Sequence, residues 1–314
     1  MSMSKKTFIV VVCGATASGK TALAVDLAER FGGEIIGSDS MQIYKGMSIA
    51  TAKPTAEELR GIPHHLIDFL EPREVFSVAD YVELARAKIT EVTARGKLPI
   101  LCGGTGLYIN SLIDNIEFAE VEADMDFRAK MQKREAAELL DELRFKDPEA
   151  ASELHENNKK RVIRALEVLH VTGKTMSEHK AASRLNPSPY EPLMLRIEFH
   201  RNELYERIDR RVDLMLEAGL LSEAQEFYRR VGFPRPTENT QTATQAIGCK
   251  ELLPYLSGEA ELAECIENLK KITRNYAKRQ LTWFKKDSRI HLLTPEKAFI
   301  EAEKLILNVI TQIS

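Results

Sequence analysis

"TFIVVVCGATASGKTALAVDLAERF", residues Thr7 to Phe31, passes from a β-branched apolar run through a glycine-bounded loop into an amphipathic pattern. The run Thr7–Cys13 suits a strand buried on both faces. From Lys20 to Phe31, Leu23, Leu27 and Phe31 recur four apart with Ala24 and Ala28 beside them. That is a helix stripe, and Gly32-Gly33 ends it. Between the two lies Gly14-Ala15-Thr16-Ala17-Ser18-Gly19-Lys20-Thr21, a complete G-x-x-x-x-G-K-[ST] in the strand–loop–helix setting that it needs. Backbone N–H groups of such a loop converge on phosphate oxygens, the helix N-terminus adds partial positive charge, and Lys20 adds a full one. Thr21 offers its hydroxyl to a Mg²⁺ ion. The loop is of the nucleotide-binding, ATP-binding type.

Further strand-like runs follow at "EIIGSDS" (Glu34–Ser40), "LPILCGG" (Leu98–Gly104) and "LMLRIEF" (Leu193–Phe199). Strands alternating with helices predict a parallel sheet with its ligand at the carboxyl edge. From Glu117 to about residue 182 the chain is dense in Glu, Lys, Arg and Ala at helical spacing. "SRLNPSPYEP" (Ser183–Pro192) then reads as a linker. The expected organisation is an α/β P-loop core (1–116), a helical insertion (117–190) and a second, mostly helical part of the core (191–314).

The 314 residues carry a net charge of −3, which argues against a histone-like polyanion binder but leaves room for local basic faces. No apolar run approaches the roughly 20 residues of a membrane span. Phe8–Cys13 is too short for a signal-peptide core, so a cytoplasmic protein is expected. Cys13, Cys102, Cys249 and Cys265 lie far apart without C-x-x-C spacing, which speaks against a disulfide framework or zinc site. His64-His65 diverge as neighbours and have no evident third ligand, so they read as structural.

Several motifs narrow the chemistry. A second "GKT", Gly173-Lys174-Thr175, has Val168 where the loop's first glycine belongs, and Gly173 reads as a helix stop. An ATPase would place a metal-holding carboxylate after an apolar strand, whereas Leu98–Gly104 runs into Thr105. "NKKR" (Asn158–Arg161) lacks the carboxylate of a guanine-reading tetrad. Asp39, in "SDSMQIYKG" (Ser38–Gly46), falls at the sheet edge beside the phosphate loop. A carboxylate there either accepts a proton, holds metal, or caps the following turn. Basic clusters at Lys159-Lys160-Arg161 with Arg164, Lys270-Lys271 with Arg274, Lys278-Arg279 and Lys285-Lys286 interleave with Tyr276, Trp283 and Phe284. That composition suits an RNA loop, or else a solvated face over a core that includes Trp283 and Phe284.

"GATASGKTALA", "SDSMQIYKGMSIATAKP", "GIPHHLID", "GGTGLYI", "RVIRALEV" and "AKRQLTWF" occur in this order and resemble the bacterial tRNA dimethylallyltransferases over roughly residues 8–290. The resemblance implies transfer of a dimethylallyl group from dimethylallyl diphosphate to N6 of the adenosine 3′ of the anticodon. The loop Gly14–Thr21 would hold the diphosphate, helped by Mg²⁺ on Thr21 and by Arg128, Arg207 and Arg211. Asp39 would act as base, with Thr105 near the reacting groups. Ser40, Met41 and Gln42 would meet the extruded adenine, and an amide at 42 could read its edge by two hydrogen bonds. Lys160, Arg161, Arg164, Gln245, Gly248, Lys250, Arg274, Lys278 and Arg279 would contact the tRNA anticodon stem-loop. A monomer is expected. Where the family commonly reads I-G-Y-K-E, this chain has Ile247-Gly248-Cys249-Lys250-Glu251, with no aromatic at 249. Rival readings are a P-loop small-molecule kinase, an isopentenyltransferase acting on free adenine nucleotides, and a non-enzymatic nucleotide-gated RNA-binding module.

Overall fold

The computed structural model describes residues 6–116, 123–183, 185–232 and 242–313. Its centre is a six-stranded, wholly parallel sheet: β1 (Thr7–Cys13), β2 (Gly33–Gly37), β3 (His64–His65), β4 (Leu98–Gly103), β5 (Tyr190–Ile197) and β6 (Ile290–Leu293). The spatial order is β3-β2-β4-β1-β5-β6, with β1 hydrogen-bonded to β4 on one side and β5 on the other. In chain order, β2, β3 and β4 are laid down on one side of β1 before the chain crosses to β5 and β6 on the other. The carboxyl end of β1 is the switch point at which such sheets bind ligands.

Residues Ile9 to Cys13 of β1 are all fully buried, as the unbroken apolar run requires. Val10 and Val12 pack against Leu23, Ala24 and Leu27 of the helix Lys20–Phe31 and against Ala302 and Ile306 near the chain's end. Gly32 ends that helix in the left-handed conformation, φ 61°, where only glycine is unstrained.

Two strand expectations need adjustment. The second strand stops at Gly37, leaving Ser38 to Ser40 in the loop. Pro192 is not linker but strand, paired with Ile9. Pairing of β5 with β6 starts only at Met194, so at Pro192 the strand has an open side and the missing N–H breaks no ladder bond.

The chain divides into two compact units, one formed by residues up to Leu112 and from Tyr190 onward, the other by Ile113–Pro189. The expected boundary at Glu117 lies outside the described residues. The second unit consists, where described, of helices and turns around Leu139, Leu143, Val162, Ile163 and Leu166. Its helix Lys159–Thr172 ends at Gly173 (φ 70°), whose N–H bonds the Leu169 carbonyl. The second "GKT" is a helix C-cap. Glu167 is fully buried in this unit and accepts from Arg128 Nε (2.8 Å) and Nη2 (2.9 Å), Arg164 Nη1 (2.6 Å) and the Asp124 N–H (2.9 Å).

In the first unit a further core joins the loop after β2 to three helices, Leu220–Val231, Cys249–Leu256 and Leu262–Phe284. Phe227, Tyr228, Leu252 and Leu269 surround Cys249, which is completely buried. Position 249 is thus a core position, and an aromatic there would pack inward rather than stack on RNA. Phe284 is core as expected, but Trp283 is 43% exposed and donates through Nε1 to Asn110 Oδ1 (2.8 Å).

Candidate active site

The phosphate loop opens into a cleft of about 600 Å³ within the first unit. The loop's curvature rests on Gly14 (φ 141°), Ala17 (φ 61°) and Gly19 (φ 78°). Lys20 Nζ lies 3.2 Å from the Ala15 carbonyl. Burial pulls the Lys20 pKa below its ordinary value; Arg211 acts in the same direction, while Cys102 and Asp39 oppose. Burial also lowers Arg211, against the pull of Glu58 and Asp39. Lys20 and Arg211 thus lose solvation in the cleft that both line, as cations at an anion site do. The Ser18 hydroxyl is buried in the same loop and has no hydrogen-bond partner among the described residues, so a phosphate oxygen could satisfy it.

Arg207 and Arg211 share a face of the helix Arg201–Glu217, as their spacing predicts. Arg207 Nε donates to the Ala17 carbonyl (2.9 Å) with its guanidinium over the Phe199 ring. Arg211 Nη1 donates to Thr16 Oγ1 (3.3 Å) and lines the cleft. Both reach the loop. Arg128 instead belongs to the helical unit, where its guanidinium is bidentate on buried Glu167; the ion pair gives it a structural partner that the sequence did not reveal.

Asp39 follows β2 and lines the cleft with Lys20 and Thr21. Its Oδ1 accepts from Met41 N (2.9 Å) and Gln42 N (3.4 Å), so it caps its own turn and faces the cleft as well. Thr105, after β4, accepts from Ser40 N (3.0 Å) and donates to Ser40 Oγ (3.4 Å), while its own N–H bonds the Ser38 carbonyl (3.1 Å). The two loops at the sheet edge are therefore stitched together across Ser38, Ser40 and Thr105. Gln42 corrects the expected two-bond amide reading. Its Nε2 donates to the carbonyls of Thr51 (3.0 Å) and Ala52 (3.1 Å), which leaves Oε1 as the group able to meet a substrate.

Ser40, Met41, Gln245, Lys250 and Arg279 line the cleft too; Lys250 Nζ donates to Gln245 Oε1 (2.9 Å) and Arg279 lies against the Tyr276 ring. Gly248, at φ 109°, is the turn that starts the helix Cys249–Leu256. Its N–H bonds Glu251 Oε2 (2.9 Å), and a side chain at 248 would press on Ala50. Arg274 Nη1 donates to both carboxylate oxygens of Asp209 (2.5 and 2.7 Å) and ties two helices, while Lys278 is exposed. Lys160, Arg161 and Arg164 lie on the helix Lys159–Thr172 of the other unit. Apolar side chains, those of Ile208, Val212, Met215, Leu269 and Ile272, also line the cleft.

Sequence reasoning missed Gln280 and named Tyr276 only as an aromatic between basic clusters. Gln280 is 5% exposed; its Oε1 accepts from Thr16 N (2.9 Å) and its Nε2 donates to the Gly104 carbonyl (3.0 Å). Tyr276 has its pKa pushed up, mostly by burial and further by Asp39, while its hydroxyl contact with Thr105 and nearby Arg279 work the other way. The quoted "AKRQLTWF" was the available signal for Gln280.

A phosphate loop at the switch point of a parallel sheet, closed by helix-borne arginines, defines a P-loop protein of NTPase-like fold. Within that class the chain belongs to the IPP transferase family, whose model matches residues 42–287. The tRNA dimethylallyltransferases of Bacillus velezensis (49% identical over 286 residues, 90% of this chain and 89% of the relative) and Bacillus subtilis (48%, with the same coverage) are among its relatives. The crystal structure of a tRNA isopentenylpyrophosphate transferase from Bacillus halodurans is similar at TM-score 0.73, with 42% identity and 98% of both chains covered. A eukaryotic dimethylallyltransferase acting on tRNA is similar at TM-score 0.81, with 32% identity, covering 92% of this chain and 74% of that one.

Proposed function

We propose that the protein is a tRNA dimethylallyltransferase: it joins the dimethylallyl group of dimethylallyl diphosphate to N6 of the adenosine 3′ of the anticodon and releases diphosphate. The observation that carries this reading is the single cleft that Lys20 and Arg211, both held below their ordinary pKa by burial, line together with Asp39 and apolar side chains. The phosphate loop takes the diphosphate, the apolar side chains take the five-carbon tail, and the carboxylate meets the acceptor.

The N6 lone pair forms the new bond to C1 of the dimethylallyl group as the C1–O bond breaks, its electrons leaving on the diphosphate. Lys20, Arg211 and the loop N–H groups stabilise the charge that builds there. The amine proton passes to Asp39, whose turn is held by Met41 N and Gln42 N. Gln42 Oε1 and the Ser40–Thr105 pair position the base. Mg²⁺ fits the hard oxygen donors available, namely the Thr21 hydroxyl that lines the cleft and the oxygens of the diphosphate that would bind there. When bound it supplies charge for the leaving group. No carboxylate ends β4, the strand beside β1 where an NTPase keeps its metal ligand, and this favours prenyl transfer over phosphoryl transfer from ATP. The helical unit, with Lys160 and Arg161, is assigned to gripping the anticodon stem of a macromolecular acceptor. The chain acts as a monomer in the cytoplasm on this reading.

The decisive assay combines purified protein, an unmodified tRNA transcript and labelled dimethylallyl diphosphate, with ATP as competing donor. Prenyl label on tRNA that ATP does not displace is the expected result. Phosphate transfer from ATP would overturn the assignment.

A further inference from the structure

We infer that Gln280 is a positioning residue that couples the donor loop to the acceptor loop, and so sets the distance between the leaving group and the base. This rests on the reading of the cleft given above. The buried amide of Gln280 bridges the phosphate loop and the loop after β4, adding to the contact of Cys102 Sγ with the Lys20 carbonyl. Its Oε1 holds the Thr16 N–H of the phosphate loop at 2.9 Å, and its Nε2 holds the Gly104 carbonyl at 3.0 Å, one residue before Thr105. Both partners are backbone atoms, so the bridge fixes main-chain positions rather than one rotamer against another.

The fit leaves no slack. A methyl group at Gly104 would come within 2.1 Å of Gln280 Nε2, so the glycine is what lets the amide reach the carbonyl. From Gly104 the path continues through Thr105 to Ser40 and hence to the Asp39 turn. From Thr16 it continues to Arg211. Donating the Thr16 N–H to Gln280 also removes that amide from the set free to meet phosphate. A primary amide both accepts from an N–H and donates to a carbonyl through one planar group. Glutamate keeps the first bond and sets a carboxylate oxygen against the Gly104 carbonyl; leucine has neither.

The test compares Gln280→Glu and Gln280→Leu with wild type in three measurements: inorganic diphosphate affinity, tRNA affinity, and single-turnover prenyl transfer at saturating donor. Gln280→Glu should keep diphosphate affinity within about threefold while transfer slows by on the order of 10–10³, because the donor loop stays pinned and the acceptor loop is released. Gln280→Leu should lose on the order of tenfold in diphosphate affinity in addition, and both variants should bind tRNA like wild type. If Gln280→Leu does not fold, the split in Gln280→Glu alone decides. Wild-type transfer in both variants, or equal losses of diphosphate affinity and rate in Gln280→Glu, would overturn the coupling. Failure of the wild-type protein to prenylate tRNA would instead overturn the underlying reading, and the diphosphate titrations would still report on the bridge.

Discussion

Asp39 gives one carboxylate oxygen to its own turn and turns toward the cleft beside Lys20 and Thr21, so its two duties can be separated by changing one atom. Asp39→Asn keeps an oxygen for the Met41 N–H and removes the basicity. Melting temperature and diphosphate binding should stay at wild type while single-turnover transfer slows by about 10²–10⁴. Transfer at an undiminished rate would take Asp39 out of the mechanism. Glu251 is a second carboxyl whose environment decides its behaviour. Burial raises its pKa, although the Gly248 N–H and nearby Lys250 pull it down. A carboxyl raised in the folded state stabilises the protein below its unfolded pKa, ordinarily 4.5, and loses that contribution as pH rises through the folded value. Glu251→Gln keeps an acceptor for Gly248 N and drops the titration. Its melting temperature should therefore gain on wild type as pH rises from about 4 and level off above the raised pKa. A gap that stays constant with pH would show Glu251 to be ionised at no cost.

The elements that were legible in the sequence are those whose reasons are local. Strand, loop and helix from Thr7 to Phe31 each follow from residues within one turn or one pleat, and the P-loop spacing from eight consecutive positions. Arg207 and Arg211 were found because four-residue spacing is also local. What stayed hidden depends on distant partners. Nothing near Arg128 in sequence announces its ion pair with Glu167, 39 residues away. Gln42 looked like a two-bond reader because its backbone acceptors, Thr51 and Ala52, carry no side-chain signature. Pro192 looked like a breaker because its tolerance depends on where β6 begins. On the helix Lys159–Thr172, Arg164 leans on Glu167, whereas Lys160 and Arg161 carry the proposed contact with RNA phosphates. Charge reversal at both should weaken tRNA binding and flatten its salt dependence, each lost phosphate contact removing about 0.7–0.9 of the log–log slope. An unchanged slope would assign the pair to solvent.

At the scale of the whole molecule, the helical unit is an excursion that leaves at Leu112 and returns at Tyr190, where β5 begins. Replacing 113–189 by a Gly/Ser bridge removes no residue of the cleft. The shortened protein should keep its sheet and its diphosphate affinity and lose most of its tRNA affinity, as paired titrations would report. Near-native tRNA binding would mean that the first unit alone grips RNA. The order of the strands has another consequence, for a chain emerging from the ribosome. β1 pairs first with β4, but its other flank must wait for β5, which appears only after the whole excursion has been made. The phosphate loop waits longer still: its bonds to Arg207 and Arg211 span 190 and 195 residues, and that to Gln280 spans 264. Contacts of such separation form late, once chain entropy has been overcome by everything between. A nascent chain therefore carries its first motif long before that motif has the shape to hold an anion. Truncated products of interrupted synthesis should therefore bind inorganic diphosphate more weakly than the finished chain, and a diphosphate titration would report on completed translation.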